Sequence, residues 1–349
     1  MFLKLKVSIG ANIVEGPWGG GNLFFKNLSN YLISQGHKVV YNLDDPDIDI
    51  ILLTDPRKSS ESSAYTHIEI YEYVKSINSE ALVIHRINEC DERKNTIGLN
   101  KFLINANMVA DSTVFVSDWL MKLFHKQGIK VKENHVILSG SDKKIFNREG
   151  FKPLIQNQKI KIVTHHWGTN KNKGFDIYYL LDELAGKAEY KNIFQFTYIG
   201  KLPKKHKFKN SEIISPLSGK DLARELKSNN LYITASINEP SGNHHIEAAQ
   251  CGLPILYIDS GGITEYCKDF GVAYTKENLI EKINYVKNNY EDYYEKMIYY
   301  SNSSDSMVRE YENLMLRLIK NKETVLKNRN LDKIKKLYIN NLLRKIIRT

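Results

Sequence analysis

The 349-residue sequence predicts an α/β protein made of two doubly wound parallel sheets followed by a helical tail. Three observations carry this expectation. Short apolar runs alternate with helix-period segments through the first half; a polar stretch at 147–159, containing Pro153, interrupts them; the same alternation then restarts. A chain of this length exceeds one ordinary core and suits two.

Taken in order, "LKVSIG" reads as a strand and "GNLFFKNLSNYLISQG" as a helix stopped by Gly36. The runs "HKVVYNL" and "DIDIILLTDP" are strands, "ESSAYTHIEIYEYVKSI" a helix, "ALVIHRIN" a strand and "NKFLINANMV" a helix. The first half closes with strand "STVFVS", helix "DWLMKLFHKQG" capped by Ser117 or Asp118, and strand "HVILSG". After the polar stretch come strand "KIKIVTHHW", helix "GFDIYYLLDELAG", strand "FQFTYIG", helix "SGKDLARELKSN" and strand "NLYITAS". A short helix "HHIEAAQCG", strand "LPILYID", turn or helix "GITEYCKD" and strand "GVAY" follow, and from about 276 onward the chain is helical and tyrosine-rich. The expected domains are 1–150, 151–312 and a basic amphipathic tail at 313–349.

Composition narrows the class. Hydrophobic residues make 42% and charged residues 26% of the chain, as in soluble globular proteins. No apolar run is long enough to span a bilayer, and the lysine-broken start does not read as a signal peptide. Cys90, Cys251 and Cys267 are odd in number and form no C-x-x-C pair, which points to a reducing compartment, with cytoplasm as the expectation. The net charge of +10 is concentrated: from Lys327 to the end, eight Lys/Arg face one acid, Asp332. A nucleic-acid binder would spread such charge over a folded face, so no nucleic-acid partner is expected. The tail carries Leu331, Ile334, Tyr338, Leu342 and Ile346 at helical spacing. It either packs back on the first domain or lies on an anionic membrane surface.

Ligands of doubly wound sheets bind beyond the carboxyl ends of the strands, so three strand-end loops matter. "GPWGGGN" precedes a helix, and its glycines, Gly19, Gly20 and Gly21, let backbone approach an anionic or hydroxyl-rich ligand. It is neither G-x-G-x-x-G nor a P-loop. "HHWGTNKNKGFD" places Lys173 at a helix start, a counter-charge for a diphosphate, with His165 and His166 at the strand end. The third is "EPSGNHHIEAAQCGLP", Glu239 to Pro254. There Asn243 reads as the N-cap of a short helix whose positive end faces the crevice, with Glu239 just outside it and Glu247 one turn in. Two carboxylates at one mouth suit a ligand with two separate diols and a diphosphate between them, the shape of a nucleotide sugar.

These motifs resemble those of the GT-B-fold glycosyltransferases of family 4, a retaining group. The E-x7-E element running into A-A-x-C-G-L-P is the strongest match, joined by "SGGITEY", "VSDWLMKLF", "VILSGSDKKIF", the Gly19–Gly21 loop and Lys173-Gly174. The resemblance spans residues 7 to about 275 and implies two Rossmann-like domains facing across a cleft, acceptor side first and donor side second. It implies a hexose transferred from a nucleotide-diphosphate sugar to a glycan or lipid-linked acceptor, in surface polysaccharide synthesis, with no metal or other cofactor. It places Glu239 at the donor hexose, Glu247 at the ribose, and Gly242, Asn243 and His244 at the sugar and phosphates. Lys173 would stabilise the leaving diphosphate, His85 would sit beside the sugar, and Gly19, Gly20 and Gly21 would shape the acceptor side. One departure stands out: the arginine usually found five or six residues before the lysine is replaced by Trp167 and Gly168, leaving His166, His165 or Arg86 to supply the missing donor.

Other readings carry less. The D-x-D string within Asp45 to Asp49 lies at the amino end of its strand, the wrong end for a ligand. His165, His166, His244 and His245 could converge on zinc, although adjacent histidines rarely point the same way. A glycosidase pair would leave the lysine and the helix end unexplained. A nucleotide-sugar epimerase of the same fold, or a non-catalytic sugar-nucleotide-binding or membrane-associated protein, is the functional alternative.

Overall fold

The computed structural model describes residues 3–13, 20–203 and 207–329. Gly19 and the amphipathic segment 331–347 lie outside the described residues. The first half contains β1 (Lys6–Ile9), α1 (Gly20–Ser34), β2 (Lys38–Val40), β3 (Ile50–Leu53), α2 (His67–Ser76), β4 (Leu82–Ile87), α3 (Asp91–Lys94), α4 (Leu99–Ala106), β5 (Ser112–Phe115), α5 (Asp118–Lys126) and β6 (Asn134–Val136). The second contains β7 (Ile160–His166), α6 (Phe175–Ala185), β8 (Phe194–Gly200), β9 (Glu212–Ile214), α7 (Gly219–Lys227), β10 (Leu231–Thr234), α8 (Asn243–Gln250), β11 (Ile255–Tyr257), α9 (Ile263–Cys267) and β12 (Gly271–Ala273). Helices α10 (Leu279–Asn288), α11 (Tyr290–Lys296), α12 (Ser304–Lys320) and α13 (Lys322–Lys327) complete the described chain.

Each half folds around a six-stranded sheet, ordered β2-β1-β3-β4-β5-β6 and β12-β11-β10-β7-β8-β9. Every strand pair is parallel, for example Val7 beside Ile50 and Tyr232 beside Ile255. Helices cover both faces of each sheet, so β3 and β4 are buried at every position; β3 reads as an unbroken apolar run, while β4 also buries His85 and Arg86. Local chemistry sets the helix starts. Thr66 and Glu69 form a reciprocal capping box at α2, and the Ser117 hydroxyl accepts from the Leu120 amide at α5. The strand order reverses between β1 and β3 and again between β7 and β10, and these two switch points define where ligands reach the sheets.

Two elements escape the sequence pattern. Strand β9 has three largely exposed residues at a sheet edge, and α3 is a single turn with no buried side chain, so neither shows an apolar period. The D-x-D string is structural: Asp45 and Asp47 ion-pair with Lys6, and Asp49 accepts from the Lys6 amide at 2.7 Å.

The chain passes between the domains twice, side by side. Ser141 bridges Ser303, and the Ser304 amide donates to the Ser141 carbonyl at 2.8 Å. A Cβ on Gly140 would come within 2.1 Å of the Ser303 carbonyl, so the two crossings touch only because glycine stands there. Helix α12 then belongs wholly to the first domain, which moves the return from the expected residue 313 to Ser304. Its Met307, Val308, Tyr311, Leu314, Met315 and Leu318 join the core built by β1, β3 and α1. The reason lies in the apolar stripe these residues form at helical spacing, which is buried against α1 and the first sheet. Glu312 ties the contact, accepting from Tyr31 Oη at 2.7 Å and lying 3.0 Å from His37 Nε2.

Arg329 anchors the end of this return. Its Nε lies 3.0 Å from Asp111 Oδ1 and its guanidinium also donates to the Ser79 and Ala81 carbonyls, with both charged side chains almost fully buried. Breaking a buried pair leaves its partner uncompensated, although Lys132 at 3.3 Å retains some of the charge balance at Asp111. Arg329→Ala should therefore cost about 2–4 kcal/mol of stability in urea unfolding; a cost under about 0.5 kcal/mol would show that the return helix is held by its apolar face alone.

Candidate active site in the interdomain cleft

Between the domains lies a cleft of about 1150 Å³ lined from both sides, and the loops that follow the switch-point strands open into it. Helix α8 begins there with Gly242, not Asn243, in the cap position: Gly242 takes φ +95° and no side chain caps the helix. Asn243 is its first helical residue. The first amides of α8 are thus left to the cleft, where the positive end of the helix favours an anion. A Cβ on Gly20 would meet the Asn243 side-chain nitrogen at 2.6 Å. The N-termini of α1 and α8, one from each domain, therefore face one another across the cleft. Gly20, Gly21, Gly242, Asn243 and His244 all line it.

Glu239 lines the second-domain wall of the cleft, 4% exposed. Its Oε2 lies 2.5 Å from Lys173 Nζ, and its Oε1 lies 2.7 Å from Arg93 Nε, which comes from α3 in the other domain. Burial alone would push the carboxyl up, but Lys173 and Arg93 hold it down to about 2. The loop that carries it is fixed by backbone: the Gly262 amide donates to the Glu239 carbonyl at 2.9 Å. At Gly261, φ +68°, a Cβ would reach within 2.6 Å of the Glu239 amide nitrogen. That close approach explains why "SGG" stands where it does.

Glu247 lies one turn into α8 and accepts from His165 Nε2 at 3.0 Å, while His165 Nδ1 is 3.2 Å from Tyr232 Oη. His166 bonds Tyr178 Oη at 2.7 Å and His244 bonds Thr234 Oγ1 at 2.9 Å. Burial drives both of these imidazoles well below their ordinary range, so they stand neutral. His245 is fully buried with no hydrogen-bond partner at either ring nitrogen among the described residues, and burial pushes it down to about 3 against the pull of Glu239. The four rings pack edge to face; His166 and His244 have centroids 4.8 Å apart. Among the described residues no group of three or more His, Cys, Asp or Glu is arranged to hold a metal ion.

The structure separates His85 from this group. It is fully buried, its Nδ1 is 2.9 Å from Asn107 Oδ1, and it does not line the cleft. Burial pushes it down to about 4. Successive residues of a strand face opposite sides, so β4 turns His85 into the core and Arg86 towards the cleft. Arg86 is itself engaged, its guanidinium lying 4.1 Å over the Phe24 ring. The cation that reaches across is Arg93, which the sequence reading missed. The available signal was the charged string "DERK" at the carboxyl end of β4.

The two walls are also docked beneath the cleft. Glu265 accepts from the Asp118 and Trp119 amides at 2.7 and 2.8 Å, capping α5 from the opposite domain. Tyr266 Oη donates to the Val116 carbonyl at 2.6 Å.

This architecture, two Rossmann-like domains enclosing a cleft with a terminal helix returned to the first, is the GT-B fold. The family model described as "Glycosyl transferases group 1" matches residues 192–304, which include Glu239, α8 and the Gly261–Gly262 loop. A glycosyltransferase from Rickettsia africae ESF-5 superimposes with a TM-score of 0.66 at 16% identity, covering 92% of this chain and 100% of that one. Anabaena Alr3699/HepE in complex with UDP-glucose gives 0.59 at 13% identity over 97% of this chain and all of that one. Sucrose-phosphate synthase from Thermosynechococcus elongatus gives 0.59 at 12% over 91% of this chain and 100% of that one. At such identities these likenesses establish the fold. Among curated proteins no sequence matches this one.

The ionisation of Glu239 gives a measurable signature. A folded-state pKa held below the ordinary 4.5 contributes stability that is complete above that value and lost as pH falls towards about 2. The stability difference between wild type and Glu239→Gln, from urea unfolding, should be constant from about pH 8 to 5 and shrink between about pH 4.5 and 3. A difference that stays flat down to pH 3 would show that Glu239 is not held as an anion by its two cations.

Proposed function

We propose that the protein is a glycosyltransferase that moves a hexose from a nucleoside-diphosphate sugar to a glycan or lipid-linked acceptor. We take it to retain configuration at the anomeric carbon, to need no metal ion, and to serve surface polysaccharide synthesis. The observation that carries the reading is the meeting of two helix N-termini, α1 and α8, across a cleft that also holds Lys173 and a buried carboxylate. The uncapped amides of α8, the facing start of α1 and one fixed ammonium suit a diphosphate. The two carboxylates on this wall, Glu239 and Glu247, suit hydroxyls at either end of such a donor. The match of residues 192–304 to the group 1 transferase model supports the same reading.

In this mechanism the bond between the anomeric carbon and the diphosphate oxygen lengthens first. Negative charge collects on the leaving phosphate, where helix dipoles and Lys173 stabilise it more in the transition state than in the bound donor. The acceptor hydroxyl approaches on the same face and passes its proton to the departing phosphate oxygen. Glu239 holds sugar hydroxyls and its negative charge favours the cationic ring; Glu247 holds the ribose, with His165 fixing its orientation. The neutral histidines around α8 add polar contacts without competing cations. The basic residues after Arg329 would bring the enzyme to an anionic membrane surface carrying the acceptor.

A thermal-shift screen of UDP-, GDP-, ADP- and dTDP-sugars should find one that raises the melting temperature; because the Anabaena relative was solved with UDP-glucose, uridine nucleotides come first. That donor should be hydrolysed slowly without acceptor, and Glu239→Ala should abolish the hydrolysis while melting as a folded protein. No shift with any nucleotide sugar would end the transferase reading. Activity should survive EDTA; loss reversed by Mg²⁺ or Mn²⁺ would overturn metal independence.

A further inference from the structure

Lys173 alone is a poor counter-charge for a diphosphate, because Glu239 offsets it at 2.5 Å. A second cation is already in place from the opposite domain. We infer that Arg93 supplies the donor diphosphate with its second cation in trans, so that the site is complete only when the two domains are closed. This rests on the transferase reading above.

Three observations carry the inference. Arg93 Nε meets the second oxygen of the same carboxylate that Lys173 holds, so the two cations stand one carboxylate apart on the cleft wall. The backbone of α3 is tied to the loop that carries Lys173: the Asn172 side-chain amide donates to the carbonyls of Glu92 at 2.9 Å and Arg93 at 3.1 Å. Asn95 returns the contact, donating to Asn172 Oδ1 at 3.1 Å. Closure therefore sets Arg93 and Lys173 in register by adjacent residues. Finally, the guanidinium is not used up. Glu89 accepts from Nη1 at 2.7 Å, and Nε, although 2.7 Å from Glu239 Oε1, makes no aligned hydrogen bond to it, while a guanidinium has five N–H donors in a fork that matches phosphate. Counting Glu89, Arg93, Lys94, Lys173 and Glu239 together, the cluster keeps one positive charge. When Glu239 turns to sugar hydroxyls, the face of Arg93 it occupied is released to the phosphates. Arg86, held on Phe24 within its own domain, makes no such cross-domain ion pair among the described residues.

The test compares full-length wild type with Arg93→Gln and Arg93→Lys, each first shown to melt as a folded protein. Calorimetric affinities are measured for UDP, GDP, ADP and dTDP, for the matching monophosphates, and for the matching nucleotide sugar. For the base that wild type binds, Arg93→Gln should weaken the nucleoside diphosphate by about tenfold or more and leave the monophosphate unchanged, with partial recovery in Arg93→Lys. Equal diphosphate affinity in Arg93→Gln overturns the inference. Loss confined to the nucleotide sugar also overturns it, since Arg93 would then act only by positioning Glu239. If wild type binds none of the diphosphates, the transferase reading itself falls, and the inference with it.

Discussion

One buried carboxylate governs the arrangement of this cleft. Removing a charge from water costs several kcal/mol unless it is paired, and Glu239 is paired from both domains at once. Its position in turn fixes much around it. The loop after β11 must pass so close that Gly261 cannot carry a side chain, and the turn into α8 must take a positive φ at Gly242. The same pairing explains why α3, one turn without an apolar face, has a settled place.

The surroundings of that carboxylate are apolar in charge if not in chemistry. His166, His244 and His245 are buried and kept neutral by burial, and His165 is turned onto Glu247. Fixed charges in such a setting interact more strongly than they would in water. A ligand entering between α1 and α8 meets dipoles and two cations that are already oriented, with the reorganisation cost met in folding. The cross-domain contacts of Asn172, Glu265 and Tyr266 suggest why two domains are needed: the site's parts belong to different cores, and docking aligns them.

Much of this was legible in the chain. All six strands of the first sheet and five of the second announce themselves, since a parallel sheet covered on both faces demands continuous apolar runs. Glu239, Glu247, Lys173 and the glycine loops could be named because strand-end position and residue type together point to a crevice. What failed had a physical cause in each case. Strand β9 and α3 bury too little to leave a pattern. Gly242 rather than Asn243 caps α8 because the close packing of both adjacent histidines excludes a side chain there. His85 went inward because strand alternation cannot be phased absolutely without knowing which face meets the cleft.

The sequence by itself determined the two doubly wound cores, the order of their elements and the cleft-lining residues carried by single loops. Those features depend on periodicity and on neighbours in the chain. Tertiary structure alone decided that α12 returns to the first domain from Ser304, that His85 is core, and that Arg93 rather than Arg86 reaches Glu239. The return helix and the Arg93–Glu239 pair depend on surfaces more than a hundred residues apart, and His85 on which face of β4 turns from the cleft; burial of an apolar stripe or pairing of a buried charge is satisfied by position in space, which local sequence does not encode.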